Sequence, residues 1–329
     1  MRKKLLILSA FLCYNTLFAE EQTPPENTSP EKSPWELSAT TSFAYYLKSD
    51  QEQGSSHFTG VSGPYDGIEG AVELDAAYTL PFLRGSSGLT QNNHATFNFG
   101  IEFTPITIVP TVSVTVSPIA FLEFAAGGMF GTGWNIGDIF TGMAKFEESE
   151  PGYGDMTPFS HWYLYGWASG CFMFDLAAIW AGDWHHIVTS ATYKVGYQKL
   201  TGTEADVWLW RASSGQASGW IYEQKYILGY QMPLALSMIA VGTTLSGHYQ
   251  SSDFGDYSSS YKGDYMTIDI WPTAEITFSK KDKMYVLFDF RARRSFEEKY
   301  KDDDHEPLMT YSGREWVFYR ICLQWKHIF

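Results

Sequence analysis

From Trp35 to its end the chain repeats one pattern, short runs in which apolar and polar side chains alternate, separated by polar, Gly-rich or acidic connectors. A period of two places successive side chains on opposite faces of a strand, so such a chain forms sheet with one oily and one wet face. The runs fall at 35–48, 68–80, 94–104, 112–116, 119–134, 160–174, 187–198, 220–231, 236–250, 265–279, 284–294 and 314–329, with the faces of 119–134 and 160–174 less distinct because small and aromatic residues occur on both. In the first, Trp35, Leu37, Ala39, Phe43, Tyr45 and Leu47 oppose Glu36, Ser38, Thr40 and Ser42. Pro272 interrupts the 265–279 run and lacks an N–H, which predicts a bulge or an unpaired position there.

The last run puts Val317, Tyr319, Ile321, Leu323, Trp325 and Phe329 on one face and Arg320, Gln324 and Lys326 on the other. A final strand ending on an aromatic residue resembles the closing strand of bacterial outer-membrane β-barrels, from which it departs at His327. The resemblance implies an all-β, transmembrane, antiparallel up-and-down barrel over residues 35–329, in contact with membrane lipid of the bacterial outer membrane. It also implies recognition of the strand ending in Phe329 by the barrel-assembly machinery. Single-chain bacterial barrels have even strand numbers, and the twelve runs fit; ten or fourteen strands remain alternatives. Connector lengths support the topology, because such barrels have short periplasmic turns and longer outer loops. Counted back from Phe329, the connectors at about 295–313, 251–264, 199–219 and 135–159 are long, and those at 280–283, 232–235 and 175–186 are shorter. The rule weakens near the amino end, where 81–93 would be a long inner turn and 104–111 a short outer one.

Composition narrows the class further. Aromatic residues make up 17% of the chain while its mean hydropathy is −0.20, as when lipid-facing side chains hide in alternate positions; helical membrane proteins need runs of about 20 apolar residues. The nearest approach to such a run, 162–182, is broken by Asp175 and reads as two strands around a turn. Basic residues at Met1-Arg-Lys-Lys, an apolar core from Leu5 to Leu17 and Ala19 before Glu20 form a secretory signal peptide over 1–19. Residues 20–34 are Pro-, Glu- and Ser/Thr-rich, with too little apolar surface to order themselves, and read as a disordered periplasmic leader. The formal charge of −14 argues against nucleic acid as a partner. Only Cys171 and Cys322 follow the signal peptide, so the chain is no disulfide scaffold, and one bridge between them stays open.

In a closed barrel the inward parity is the functional surface. It carries Glu69, Glu73, Asp75, Glu102, Glu223, Asp269, Glu275 and Asp289, with Lys194, Lys225, Arg291, Arg293, Arg320 and Lys326. These charges either line a passage for small solutes or pair with one another as a polar core. Arg291 and Arg293 share a face, with Arg320 on the next strand; guanidinium groups so placed bind carboxylate or phosphate, or else neutralise Asp289, Asp269 and Glu275. The leading expectation is a passive porin for small solutes. A plugged barrel that binds surfaces through its outer loops is the alternative, with Trp208, Trp210 and Arg211 as contacts. A lipid hydrolase is a third: His248 ends a strand at the outer level, but Ser251 lies three residues on and faces the other way in a regular strand. The acidic run 301–306 lacks the spacing of a calcium loop, His185-His186 shows no metal spacing, and the glycines at 127, 128 and 133 lack the Lys-Ser/Thr of a phosphate loop. No cofactor or metal is expected.

Overall fold

A computed structural model describes residues 33–137, 140–147, 152–203, 207–211, 213–257, 259–298 and 303–329. The signal peptide, the leader up to residue 32 and residues 301 and 302 of the acidic run lie outside them. In chain order the strands are β1 (Trp35–Lys48), β2 (His57–Phe58), β3 (Gly63–Pro81), β4 (His94–Phe103), β5 (Thr107–Ile119), β6 (Leu122–Gly133), β7 (Met143–Glu147), β8 (Gly152–Asp155), β9 (Tyr163–Asp175), β10 (Ile187–Leu200), β11 (Trp208–Trp210), β12 (Ser213–Gln216), β13 (Gly219–Gln231), β14 (Leu236–His248), β15 (Thr267–Thr277), β16 (Asp282–Phe296) and β17 (Tyr311–Ile328).

Twelve of these form the wall, each antiparallel to the next, in the order β1, β3, β4, β5, β6, β9, β10, β13, β14, β15, β16, β17. The sheet closes where β1 meets β17, from Ser38 opposite Ile328 to Tyr46 opposite Arg320. An even strand number brings both ends of the wall to one rim, called here the terminal end. Connectors at the opposite loop end span 49–62, 104–106, 134–162, 201–218, 249–266 and 297–310, and those at the terminal end span 82–93, 120–121, 176–186, 232–235 and 278–281. The two exceptions near the amino end are therefore real: 82–93 is a long turn and 104–106 a short loop.

The faces are inverted relative to a protein folded in water. On β1, Ser38, Thr40, Ser42 and Tyr46 are buried, while Trp35, Leu37 and Phe43 are 50%, 51% and 44% exposed. Phe97, Phe99, Leu228, Ile239, Val241, Phe288 and Leu323 repeat this outside the other strands. A continuous apolar exterior around a closed wall is stable in hydrocarbon, where closure satisfies every backbone group. Aromatic pairs mark both rims: Trp35 with Tyr78 and Phe278 with Trp325 at the terminal end, Tyr197 with Trp220 and Tyr222 with Tyr249 at the loop end. Such girdles sit at the two membrane–water interfaces.

Three details differ from, or sharpen, the sequence reading. A bulge on β17 shifts the pairing with β16, so that Asp289 faces Arg320 while Phe290 faces Phe318. Val317 is consequently buried and Tyr319 packs edge-on against Tyr46, so these two belong to the interior and not to the lipid-facing set. Residues 162–182 make one wall strand, β9, and then a 3-10 turn, Leu176–Ala178, capped by Asp175, whose carboxylate accepts from Ala177 N. At Pro272 the register on β14 runs on, but the pairing with β16 lapses between Ile270–Phe290 and Thr273–Leu287, which is the unpaired position expected of a missing donor. Cys171 and Cys322 are free.

Candidate functional site: the barrel interior and its cap

Period-two geometry turns every nominated charge inward, and pairing follows from register. Arg291 Nε and Nη2 donate to the two Asp269 oxygens at 2.6 and 3.1 Å, and Arg320 Nε donates to Asp289 Oδ2 at 2.9 Å. Arg320 Nη1 reaches Tyr46 Oη at 3.2 Å, and that hydroxyl donates to Glu69 Oε2 at 2.7 Å. The guanidinium of Arg291 lies 3.9 Å over the Tyr319 ring. One polar chain thus runs from β15 to β3 across the seam where first and last strands meet. Arg320 and Asp289 are almost wholly buried, as paired charges in an interior must be.

The other nominated residues lie apart. Lys194 is 3.2 Å and Lys225 3.9 Å from Glu223 on the opposite wall. Glu275 accepts from Ser237 Oγ at 2.7 Å and Lys283 Nζ at 3.3 Å. Glu73 and Asp75 keep partial exposure inside β3. Arg293 sits near the loop-end rim, 2.5 Å from Glu315, and also donates to Ser49 O at 2.9 Å. Glu315, fully buried, gathers the 49–62 loop: it accepts from Thr59 Oγ1, from Glu52 N at 2.9 Å and from His57 Nε2 at 3.1 Å. His57 Nδ1 faces Ser55 O at 2.6 Å. With acceptors at both ring nitrogens, only the imidazolium can donate twice; the Ser55 carbonyl foremost, then Glu315, raises its pKa above the ordinary histidine value.

The loop end carries structure that periodicity did not reveal. Strands β7, β8, β11 and β12 form a second, four-stranded sheet from the 134–162 and 201–218 connectors. Its Trp208 and Trp210 are buried with Met143 and Met156 against Val109, Tyr163 and Leu200 of the wall. The ring of Trp210 stacks on Tyr163 at 4.9 Å, and a Cβ at Gly131 would come within 2.9 Å of it. A further cluster, Phe146, Val207, Ala217, Phe254, Tyr261, Phe296 and Met309, joins four connectors into a cap with its own core. Arg211, with φ +53° and no exposed surface, donates from the cap to Glu102 on β4. Glu102 stands directly opposite Glu73, a like-charge pair whose cost the guanidinium offsets. These contacts, from β4 through β10 to β16, carry the cap across the mouth of the barrel. Trp208, Trp210 and Arg211 are therefore internal and not available as surface contacts. His248 Nδ1 bonds Asp253 Oδ2 at 2.9 Å beneath this cap, while Ser251 Oγ accepts from Gly263 N at 3.2 Å.

A closed antiparallel barrel with lipid-compatible outside and charged inside is the architecture of bacterial outer-membrane β-barrel proteins. The fold is shared with an outer membrane channel from Pseudomonas putida, at a TM-score of 0.51 and 10% identity over 94% of this chain and 100% of that one. The β domain of a Bordetella autotransporter aligns at a TM-score of 0.42 with 8% identity, covering 90% and 99% of the two chains, and the NanC porin at 0.37 with 9%, covering 88% and 97%. No protein-family model and no characterised relative matches the sequence.

Proposed function

We propose that the protein is a passive channel for small solutes in the bacterial outer membrane, exported by its signal peptide, with its termini in the periplasm and its loop end outward. The observation that carries this reading is an interior still lined below the cap by partly exposed charge, Glu73, Asp75, Lys194 and Lys326, in a wall whose strand number allows an intermediate bore. Of the nominated residues, Glu73, Asp75 and Glu223 are the solute-contacting candidates, whereas Lys225 is buried beside Glu223 and Asp269, Asp289, Arg291 and Arg320 hold the seam. The cap closes the outer mouth at rest, so conduction is episodic. The closing strand with Phe329 at its end is the segment offered to the assembly machinery.

Folded protein, identified by heat-modifiable gel mobility, would be placed in planar bilayers. Brief ion-conducting openings are expected, with selectivity that changes in Glu73→Gln/Asp75→Asn. Folded protein that never conducts above background would exclude a channel.

A further inference from the structure

Along β16 the outward parity reads Val286, Phe288, Phe290, the covered Ala292 and then Arg294; along β17, toward the same rim, it reads Phe318, Trp316 and then Arg314. Both strands change from hydrocarbon-compatible to cationic at one level, and Arg294 and Arg314 are direct cross-strand partners. Their guanidinium groups lie 5.1 and 5.6 Å from the single ring of Tyr265. Like charges directly opposite on neighbouring strands are unfavourable unless something anionic joins them. The adjacent Asp264 is engaged by Lys262 at 3.0 Å, so the patch keeps a positive excess. Among the described residues, neither arginine has a carboxylate within ion-pair distance.

The group is also held in place. Arg294 Nη1 donates to Tyr261 Oη at 3.0 Å, and Nε and Nη2 donate to Lys262 O at 3.3 Å, which fixes the guanidinium and leaves two of its five N–H groups over. Tyr222 and Tyr249 of the loop-end girdle lie beside the patch, Tyr222 close to both Asp264 and Arg314. Arginines just beyond an aromatic girdle stand at headgroup depth, where planar forks match phosphate oxygens.

We propose that Arg294 and Arg314 form an exterior site for the phosphate of an anionic amphiphile in the leaflet at the loop end. This rests on the membrane-spanning reading. The test uses full-length protein inserted into phosphatidylcholine vesicles, with insertion scored by heat-modifiable mobility. Diphosphoryl lipid A, dephosphorylated lipid A or inorganic phosphate is then added, and retained ligand is counted by native mass spectrometry. Wild type should retain the phosphorylated lipid, and Arg294→Gln/Arg314→Gln should retain roughly thirtyfold less, for the loss of two basic residues facing the added lipid's phosphates. Equal retention of both lipids, an unchanged double variant, or retention of inorganic phosphate alone would overturn the site while leaving the barrel intact. Failure to insert into neutral vesicles would instead overturn the membrane reading beneath it.

Discussion

At the scale of single residues, several large side chains inside the wall are laid over glycines. Trp271 is buried, its indole N–H donates to Thr244 Oγ1 at 3.1 Å, and it occupies the space where a Cβ on Gly242 would stand. Gly242→Ala should push the indole out of this bond and cost about 1–3 kcal/mol by overpacking, seen as altered tryptophan emission and a lower denaturant midpoint; unchanged emission would contradict the packing. Arg211 makes an ion pair from the cap to the wall. Arg211→Met should weaken cap docking by about 3 kcal/mol, because Glu102 is left buried and unpaired. Faster protease cleavage within 201–218, with partial recovery in Arg211→Met/Glu102→Gln, is the readout. Parity alone was enough to turn Asp269, Asp289, Arg291, Arg293 and Arg320 inward. Which of them would pair was not legible, because partners depend on register across separate strands, and the bulge at Tyr319 resets that register locally.

At the scale of elements, most wall strands were legible because alternation runs along their length. The runs at 119–134 and 160–174 were less distinct, with small and aromatic residues on both faces, and only 112–116 of β5 was read. Strands β7, β8, β11 and β12 were not, since three to five residues carry no period and their apolar side chains resemble any exposed loop aromatic. Strand β2 was missed for the same reason: it pairs in parallel with Glu315 and Trp316, covering the edge of β17 beyond the end of β1. Its His57 makes that docking depend on pH. Because the docked pKa is raised, the contribution is complete below the free value of 6.5 and is lost as pH rises through the docked value. Proteolytic protection of 49–62 should fall over that window, and His57→Gln should flatten the profile; a protection that instead grows with pH would contradict the sign. At the other end of the chain, Phe329→Ala should lower the folded fraction in cells more than the yield of refolding in detergent, if assembly reads the terminal aromatic. Equal effects in both would make the residue purely structural.

At the scale of the whole molecule, two environments explain the architecture. Lipid accounts for the apolar exterior and the girdles, and ion pairing accounts for the charges gathered inside, with the closed wall between them. The cap is held across the loop-end mouth by Trp208, Trp210 and Arg211, and in the proposed channel it decides whether the interior opens to the outside. Single-channel recording of wild type beside Trp208→Ala/Trp210→Ala/Arg211→Ala, both shown to be folded, tests this most directly. The triple variant is expected to stay open for longer and at a larger unit conductance; records indistinguishable from wild type would mean that the cap does not close the barrel.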